Sequence, residues 1–134
     1  MVQKTQDFIQ KAPLIISVCI VIPVSLLYGF NPELLFDIQL QTIDEQNFFK
    51  SIMGMYIGFS ILWILGIFRH PYLQMAIITN VIFMLSLGFG RILSLFLDGT
   101  PTFGYLYGTF AEIFLGCYGI WVLTNKNTNF AETK

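Results

Sequence analysis

The sequence predicts an all-α integral membrane protein, a four-helix up-and-down bundle with both termini in the cytoplasm. Three observations predict it: the composition, four long apolar runs, and the placement of the basic residues. Hydrophobic residues make up 55% of the 134 residues and charged residues only 11%, whereas an ordinary soluble domain is about 25% charged. The mean hydropathy is +0.70. The length fits one membrane domain, 1–134.

The apolar runs define the predicted helices. A bilayer core about 30 Å thick is crossed by roughly 20 apolar residues in a helix. Four stretches reach that length, at about 12–30, 48–68, 72–97 and 102–123. Proline and glycine punctuate the gaps, at Asn31-Pro32, His70-Pro71 and Asp98-Gly99-Thr100-Pro101. The remaining segments are an outer loop at 31–47 and a polar tail at 125–134, which we expect to be mobile.

The outer loop is the only long connection, and it carries structure of its own. Asn31-Pro32-Glu33 resembles a helix start, and Thr42-Ile43-Asp44-Glu45 fits a capping box for the second long helix. Two interpretations stay open: the loop covers the outer mouth of the bundle, or it is a plain connector resting on head groups.

Basic residues predict the orientation of the bundle. Four spans place one set of Lys and Arg on one side of the membrane: Lys4, Lys11, Arg69, Lys126 and Lys134. The other side has Lys50 alone, together with several acids. Because cytoplasmic loops are enriched in Lys and Arg, this distribution predicts a multi-pass membrane protein with both termini in the cytoplasm.

Composition and motifs also exclude several classes of function. Seven Lys and Arg against eight Asp and Glu leave no basic surface for nucleic acid. One His and two Cys show no zinc spacing, so we expect no metal site. The sequence lacks the common catalytic motifs, so no residue is assigned as catalytic and no cofactor is expected.

Two charged residues lie inside apolar runs and need a reason to be there. An Arg or Asp at the centre of a membrane helix costs about 2.5–3.5 kcal/mol. By helical rise, Arg91 lies roughly 10 Å and Glu112 roughly 15 Å below the outer ends of their helices. A tight turn joins these two helices, so they are antiparallel neighbours and the side chains can meet as a bidentate pair.

Further polar residues extend the candidate site. Ser94 and Asp98 share a helix face with Arg91. Lys50 lies one turn from Gly54 at the outer end of the second helix. We therefore expect Lys50, Arg91, Ser94, Asp98 and Glu112 to form one outward-facing site for a ligand or partner.

Glycines recur at a spacing of four on two helices. They are Gly54 and Gly58 on the second helix, and Gly104, Gly108 and Gly116 on the fourth. Small residues let membrane helices approach closely, so these positions predict helix packing.

Two interpretations of Arg91 and Glu112 remain open. In one, they form a buried pair that fixes the register of two helices, with little net stabilisation. In the other, they line a site for a polar or anionic head group, or a proton path.

Several residues carry a resemblance to a known family. They are Gly90-Arg91, Ser94, Asp98-Gly99-Thr100-Pro101 and Glu112, with Lys50, Gly54 and Leu27-Tyr28-Gly29. Together they resemble the bacterial four-helix membrane family catalogued as domain of unknown function 4345, over essentially the whole chain. The resemblance implies a multi-pass protein of the bacterial inner (cytoplasmic) membrane. That family usually has Arg where this chain has Lys50, and it implies no activity. In layout the chain is more distantly similar to DoxX-like membrane proteins, some of which associate with respiratory or thiol-redox systems.

Three functions fit these observations. The first is a non-enzymatic accessory subunit of a larger membrane complex, with other membrane subunits as partners. The second is a binder or carrier of a lipid or quinone in the polar intramembrane site. The third is an enzyme acting on lipid with Glu112 or Asp98 as general acid or base, which the missing nucleophile–base pair disfavours.

Overall fold

The computed structural model of the chain describes residues 2–131, with side chains described for residues 5–125. It contains four long helices: α1 (Val2–Phe30), α2 (Ile43–Phe68), α3 (His70–Leu97) and α4 (Phe103–Ala131). A short 3-10 helix occupies Pro32–Leu34, and the described residues contain no strand. Each long helix has a segment long and apolar enough to cross a membrane, which confirms the predicted fold class.

The helices extend beyond the apolar runs because helical hydrogen bonding continues into polar sequence. At the start of α1, the ammonium of Lys11 lies 2.8 Å from the Asp7 carboxylate one turn earlier. At the start of α2, the Thr42 hydroxyl accepts from the Glu45 amide, and the Glu45 carboxylate accepts from the Thr42 amide, completing the predicted capping box. The first connection therefore spans only 31–42, and α4 continues to residue 131 through much of the segment expected to be a mobile tail. Residues 132–134 of that tail lie outside the described residues, as do the side chains of Lys4, Lys126 and Lys134.

The other two connections are short. Arg69 alone separates α2 from α3, in an extended conformation that reverses the chain. Gly99, between α3 and α4, has a φ of 102°, a conformation that glycine adopts without strain. We call the end of the bundle that carries residues 31–42 and 98–102 the loop end. The opposite end, with Arg69, is the terminal end.

The packing follows the order of the chain. α1 packs on α2, α2 on α3 and α3 on α4, whereas α1 meets α3 and α4 at fewer places. The core is formed by large side chains from all four helices, among them Leu14, Trp63, Ile77 and Leu115. The outer surface is strongly apolar, and Phe96 is 84% and Phe68 79% exposed, as expected where lipid is the solvent.

The first connection folds over the loop end of the bundle. Phe36 is 3% exposed and its ring stacks on Tyr28, with centroids 4.7 Å apart. On its other side, Phe36 lies 4.4 Å from the ring of Tyr105. Of the two interpretations left open by the sequence, the structure supports the one in which this loop covers the mouth of the bundle.

Candidate functional site

An ion pair between α3 and α4 forms the centre of the candidate site. Nη2 of Arg91 lies 3.0 Å from Oε1 of Glu112, and their side chains are 18% and 12% exposed. Gly108, one turn before Glu112, lies beside the guanidinium, since a Cβ at Gly108 would be in van der Waals contact with Nη1 of Arg91, at 3.4 Å. Glu112 and Gly108 thus present one face of α4 to Arg91.

Aromatic side chains from other segments enclose the guanidinium. Nη2 of Arg91 also donates to the Tyr28 hydroxyl on α1, at a long distance of 3.5 Å. The Arg91 guanidinium carbon lies 5.0 Å from the centroid of the Tyr105 ring, within the range of a cation–π interaction. The Phe36 ring contacts both the Tyr28 and the Tyr105 rings, so the first connection helps to hold both of them.

The ion pair is only half satisfied. Nη1 of Arg91 and Oε2 of Glu112 are buried, and neither has a hydrogen-bond partner among the described residues. Buried polar atoms are nearly always hydrogen-bonded, and an unfilled one costs about 1–3 kcal/mol. One donor and one acceptor of the pair are therefore left unsatisfied among the described residues.

A cavity of about 330 Å³ lies beside the ion pair, between α1 and α4. Its walls are apolar apart from the ion pair and tyrosine hydroxyls. They include Ile20, Val21 and Val24 of α1, Phe83, Met84 and Leu87 of α3, and Phe103, Tyr107, Ala111 and Leu115 of α4. Leu35 and Phe36 of the first connection close the cavity towards the loop end, and Arg91 and Glu112 are its only charged lining residues.

Ser94 and Asp98 lie closer to the loop end of α3 than Arg91 does, at the rim of the bundle. Both are exposed, and the Ser94 hydroxyl donates to the Asp98 carboxylate over 2.7 Å. A shallow pocket of about 360 Å³ contains Ser94, Arg91 and Tyr105 but not Asp98. Asp98 is therefore engaged in a local contact near the end of α3.

Lys50 lies in a different place altogether. It is exposed, and it lines a separate pocket of about 320 Å³ with Asn31, Pro32 and Glu33 at the loop end. The expectation that Lys50, Arg91, Asp98 and Glu112 converge in one pocket is thus not met by the structure. The reason is the orientation of α2, whose larger residues Tyr56 and Trp63 turn inward and leave the Lys50 face outside.

The predicted glycine positions divide between the two helices. On α4, a Cβ at Gly104 would lie 3.0 Å from the Leu35 carbonyl oxygen, and one at Gly116 would clash with Leu85. On α2, Gly54 and Gly58 are exposed and a Cβ at either would meet nothing within 4 Å. Of these five predicted packing glycines, only those of α4 lie against a neighbouring segment of the described chain.

Tyr28, Phe36 and Tyr105 were not predicted from the sequence to be part of the site. A signal for Tyr28 was present, because Ser17, Ser25 and Tyr28 lie eight and three residues apart on one face of an otherwise apolar helix. No comparable pattern marks Phe36, since its position depends on how the first connection folds. Among the described residues, no group of three or more His, Cys, Asp or Glu is placed to hold a metal ion.

Comparison with known proteins gives the family. A family model described as Domain of unknown function (DUF4345) matches residues 9–123. No curated protein and no solved structure matches the chain, and the similarity to DoxX-like proteins stays a prediction. The matched residues include most of every long helix and both members of the ion pair. The chain therefore belongs to the DUF4345 family.

Proposed function

We propose that this protein binds a membrane amphiphile in the cavity between α1 and α4. The head group contacts Arg91 and Glu112, and the apolar part lies along the cavity walls. The observation that carries the proposal is the combination of an apolar cavity with one unfilled donor and one unfilled acceptor on its lining residues. Ligand sites typically combine apolar walls with a few polar groups in this way, in volumes of about 300–1,000 Å³.

The bilayer supplies the route of entry. Three lining residues of the long helices are substantially exposed, Ile20 at 38%, Tyr107 at 64% and Phe103 at 80%. Ile20 belongs to α1, and Phe103 and Tyr107 to α4, so the cavity opens between two helices that contact each other at few places. A ligand dissolved in the bilayer enters sideways between them, without passing through water.

Filling the cavity tests the proposal. Ala111 lines the cavity and is half-buried, so Ala111→Phe places an aromatic ring inside it. Cys117 is exposed on the same helix and lines none of the cavities described above, so Cys117→Phe adds similar bulk to the lipid-facing surface.

The measurement is displacement of a fluorescent apolar probe from protein in nanodiscs by membrane lipids. We expect Ala111→Phe to weaken probe binding by about tenfold or more, equivalent to about 1.4 kcal/mol, and Cys117→Phe to leave it unchanged. Equal binding by both variants, with both correctly folded, would exclude the cavity as the site.

A second function, that of an accessory subunit, has support from α2. Gly54 and Gly58 form an exposed small-residue face that contacts no other residue of the described chain, and such faces pack against other membrane helices. Under this proposal a larger membrane complex co-purifies with the chain after mild extraction. Gly54→Leu with Gly58→Leu releases the complex but leaves probe binding in the cavity intact. Purification of the wild-type chain alone from native membranes counts against it.

A further inference from the structure

We infer that the head group bound by Arg91 and Glu112 is uncharged and both donates and accepts a hydrogen bond. This inference rests on the proposed function and names the ligand class of the same cavity. Its basis is the charge balance of the lining residues and the identity of the two unfilled atoms.

The charges of the site cancel. Nη2 of Arg91 lies 3.0 Å from Oε1 of Glu112, and no other charged residue lines the cavity. An anionic head is attracted by Arg91 but repelled by the adjacent Glu112, and a cationic head meets the reverse. Neither gains enough to offset the loss of its hydration in an apolar cavity. An uncharged head avoids this cost.

The unfilled atoms define the hydrogen bonding that the head must supply. Nη1 of Arg91 only donates, and Oε2 of an ionised Glu112 only accepts. A hydroxyl, a hydroquinone or a primary amide fills both atoms. A simple ester, an ether or a quinone carbonyl fills only the donor and leaves Oε2 without a partner. The class is therefore a hydroxylic or amide amphiphile.

A series of ligands with one chain length tests this inference in nanodiscs. The series contains a long-chain alcohol, the corresponding amide, methyl ether, fatty acid and alkyl amine, each displacing the fluorescent apolar probe. We expect the alcohol and the amide to bind about tenfold more tightly than the ether, since a hydrogen bond to a charged group contributes about 1.5–3 kcal/mol. We expect the fatty acid and the amine to be weaker than the alcohol.

Glu112→Gln provides a second readout that depends on charge. Glutamine keeps the shape of the side chain but leaves the positive charge of Arg91 without a counter-charge. We therefore expect the ligand preference of the cavity to shift from the alcohol towards the fatty acid. Tighter binding of the fatty acid by wild-type protein, or equal binding of the alcohol and the ether, overturns the inference. If no compound displaces the probe from wild-type protein, the proposed function itself fails.

The geometry points to a second, independent site, a buried water-binding site formed by Ser17, Trp63 and Asn80. All three side chains are 0% exposed. The Ser17 hydroxyl, the Trp63 indole nitrogen and both amide atoms of Asn80 have no hydrogen-bond partner among the described residues. They belong to α1, α2 and α3, respectively.

Neighbouring contacts place the three residues at one depth. A Cβ at Gly66 would clash with Ala76 and would lie 3.5 Å from Leu14, so these residues of α1, α2 and α3 share a level. Ser17, Trp63 and Asn80 each lie three or four residues from that level towards the loop end, about 4.5 to 6 Å by helical rise. A buried water requires two to four hydrogen-bond partners. The four unfilled polar atoms at this level could supply them.

The fluorescence of Trp63 tests this site. The chain has two tryptophans, so Trp121→Phe leaves Trp63 as the only indole. If Trp63 donates to bound water, its emission lies to the red of a dry indole, and adding either Ser17→Ala or Asn80→Leu shifts it to the blue. Thr79→Ala is the control, because Thr79 is half-buried and its hydroxyl donates only to carbonyls of its own helix. Emission typical of a dry indole that neither substitution changes overturns the proposal.

Discussion

Arg91 links α3 to two other helices of the bundle. It pairs with Glu112 on α4, donates to Tyr28 on α1 and lies over the ring of Tyr105. That Arg91 and Glu112 can meet could be predicted from the sequence, because a charge within an apolar helix must find a partner. Their unfilled atoms could not be predicted, since these depend on the geometry of a single contact.

The ion pair itself leads to a prediction about stability. Arg91→Met or Glu112→Met alone leaves a buried charge without its partner, and we expect a loss of about 3–5 kcal/mol in the free energy of unfolding. The double variant removes both charges, so we expect it to recover most of that loss. Reversible unfolding in detergent measures all three.

Lys50→Met is the matched control for this comparison. Lys50 is exposed and has no ion-pair partner among the described residues, so we expect a change within about 0.5 kcal/mol. If the losses of the two single variants simply add in the double variant, Arg91 and Glu112 do not act as a pair.

The Tyr28 hydroxyl contributes less to stability than its position beside Arg91 suggests. Its hydroxyl is 3.5 Å from Nη2 of Arg91, at the limit of a hydrogen bond, whereas its ring stacks on Phe36. We expect Tyr28→Phe to cost at most about 0.5–1.5 kcal/mol of unfolding free energy, and Tyr28→Ala to cost about 3–5 kcal/mol, as buried aromatics do. Tyr107→Phe, at an exposed position, serves as the control. Equal costs for Tyr28→Phe and Tyr28→Ala would show that the hydroxyl, and not the ring, holds the site.

At the level of single elements, α2 shows where sequence patterns stop being informative. The spacing of Lys50, Gly54 and Gly58 correctly places them on one face of a helix. It does not say whether that face points inward, because α2 is apolar on every side and lacks the asymmetry that orients an amphipathic helix. The outcome depends on Tyr56 and Trp63, whose burial turns the glycine face outward.

The contact between α4 and the first connection gives an element-level prediction. A Cβ at Gly104 would lie 3.0 Å from the Leu35 backbone carbonyl oxygen, so Gly104→Ala pushes residues 31–42 away from the bundle. We expect a loss of about 1–3 kcal/mol and faster amide hydrogen exchange at Leu35 and Phe36. Gly54→Ala meets nothing within 4 Å, so we expect it to be neutral or to stabilise by about 1 kcal/mol through helix propensity. Unchanged exchange in Gly104→Ala would mean that the connection does not rest on α4.

At the level of the whole molecule, the number of helices is predictable because each membrane-spanning helix needs a long apolar run. The sequence has four such runs separated by proline and glycine, so it predicts four helices. The weak packing of α1 against α4 is not predictable in this way. It arises from how the side chains of all four helices fill the interior, with Phe83, Met84 and Leu115 forming part of the cavity wall rather than closing it. The candidate site is therefore a property of the assembled bundle, although its two charged residues stand out in the sequence.

The orientation of the assembled bundle gives the last prediction. The distribution of basic residues predicts that Arg69 lies on the cytoplasmic side, so we expect residues 31–42 at the opposite end to face outward. Glu33 and His70 are both exposed and lie at opposite ends of the bundle, so Glu33→Cys and His70→Cys report on the two sides in a background with Cys19→Ala and Cys117→Ala. In intact cells, we expect a membrane-impermeant maleimide to label the cysteine at position 33. The cysteine at position 70 should react only after permeabilisation. The opposite pattern would show that the protein has the inverted orientation, with the cavity beside the other leaflet. Labelling of both positions in intact cells would contradict a four-span arrangement.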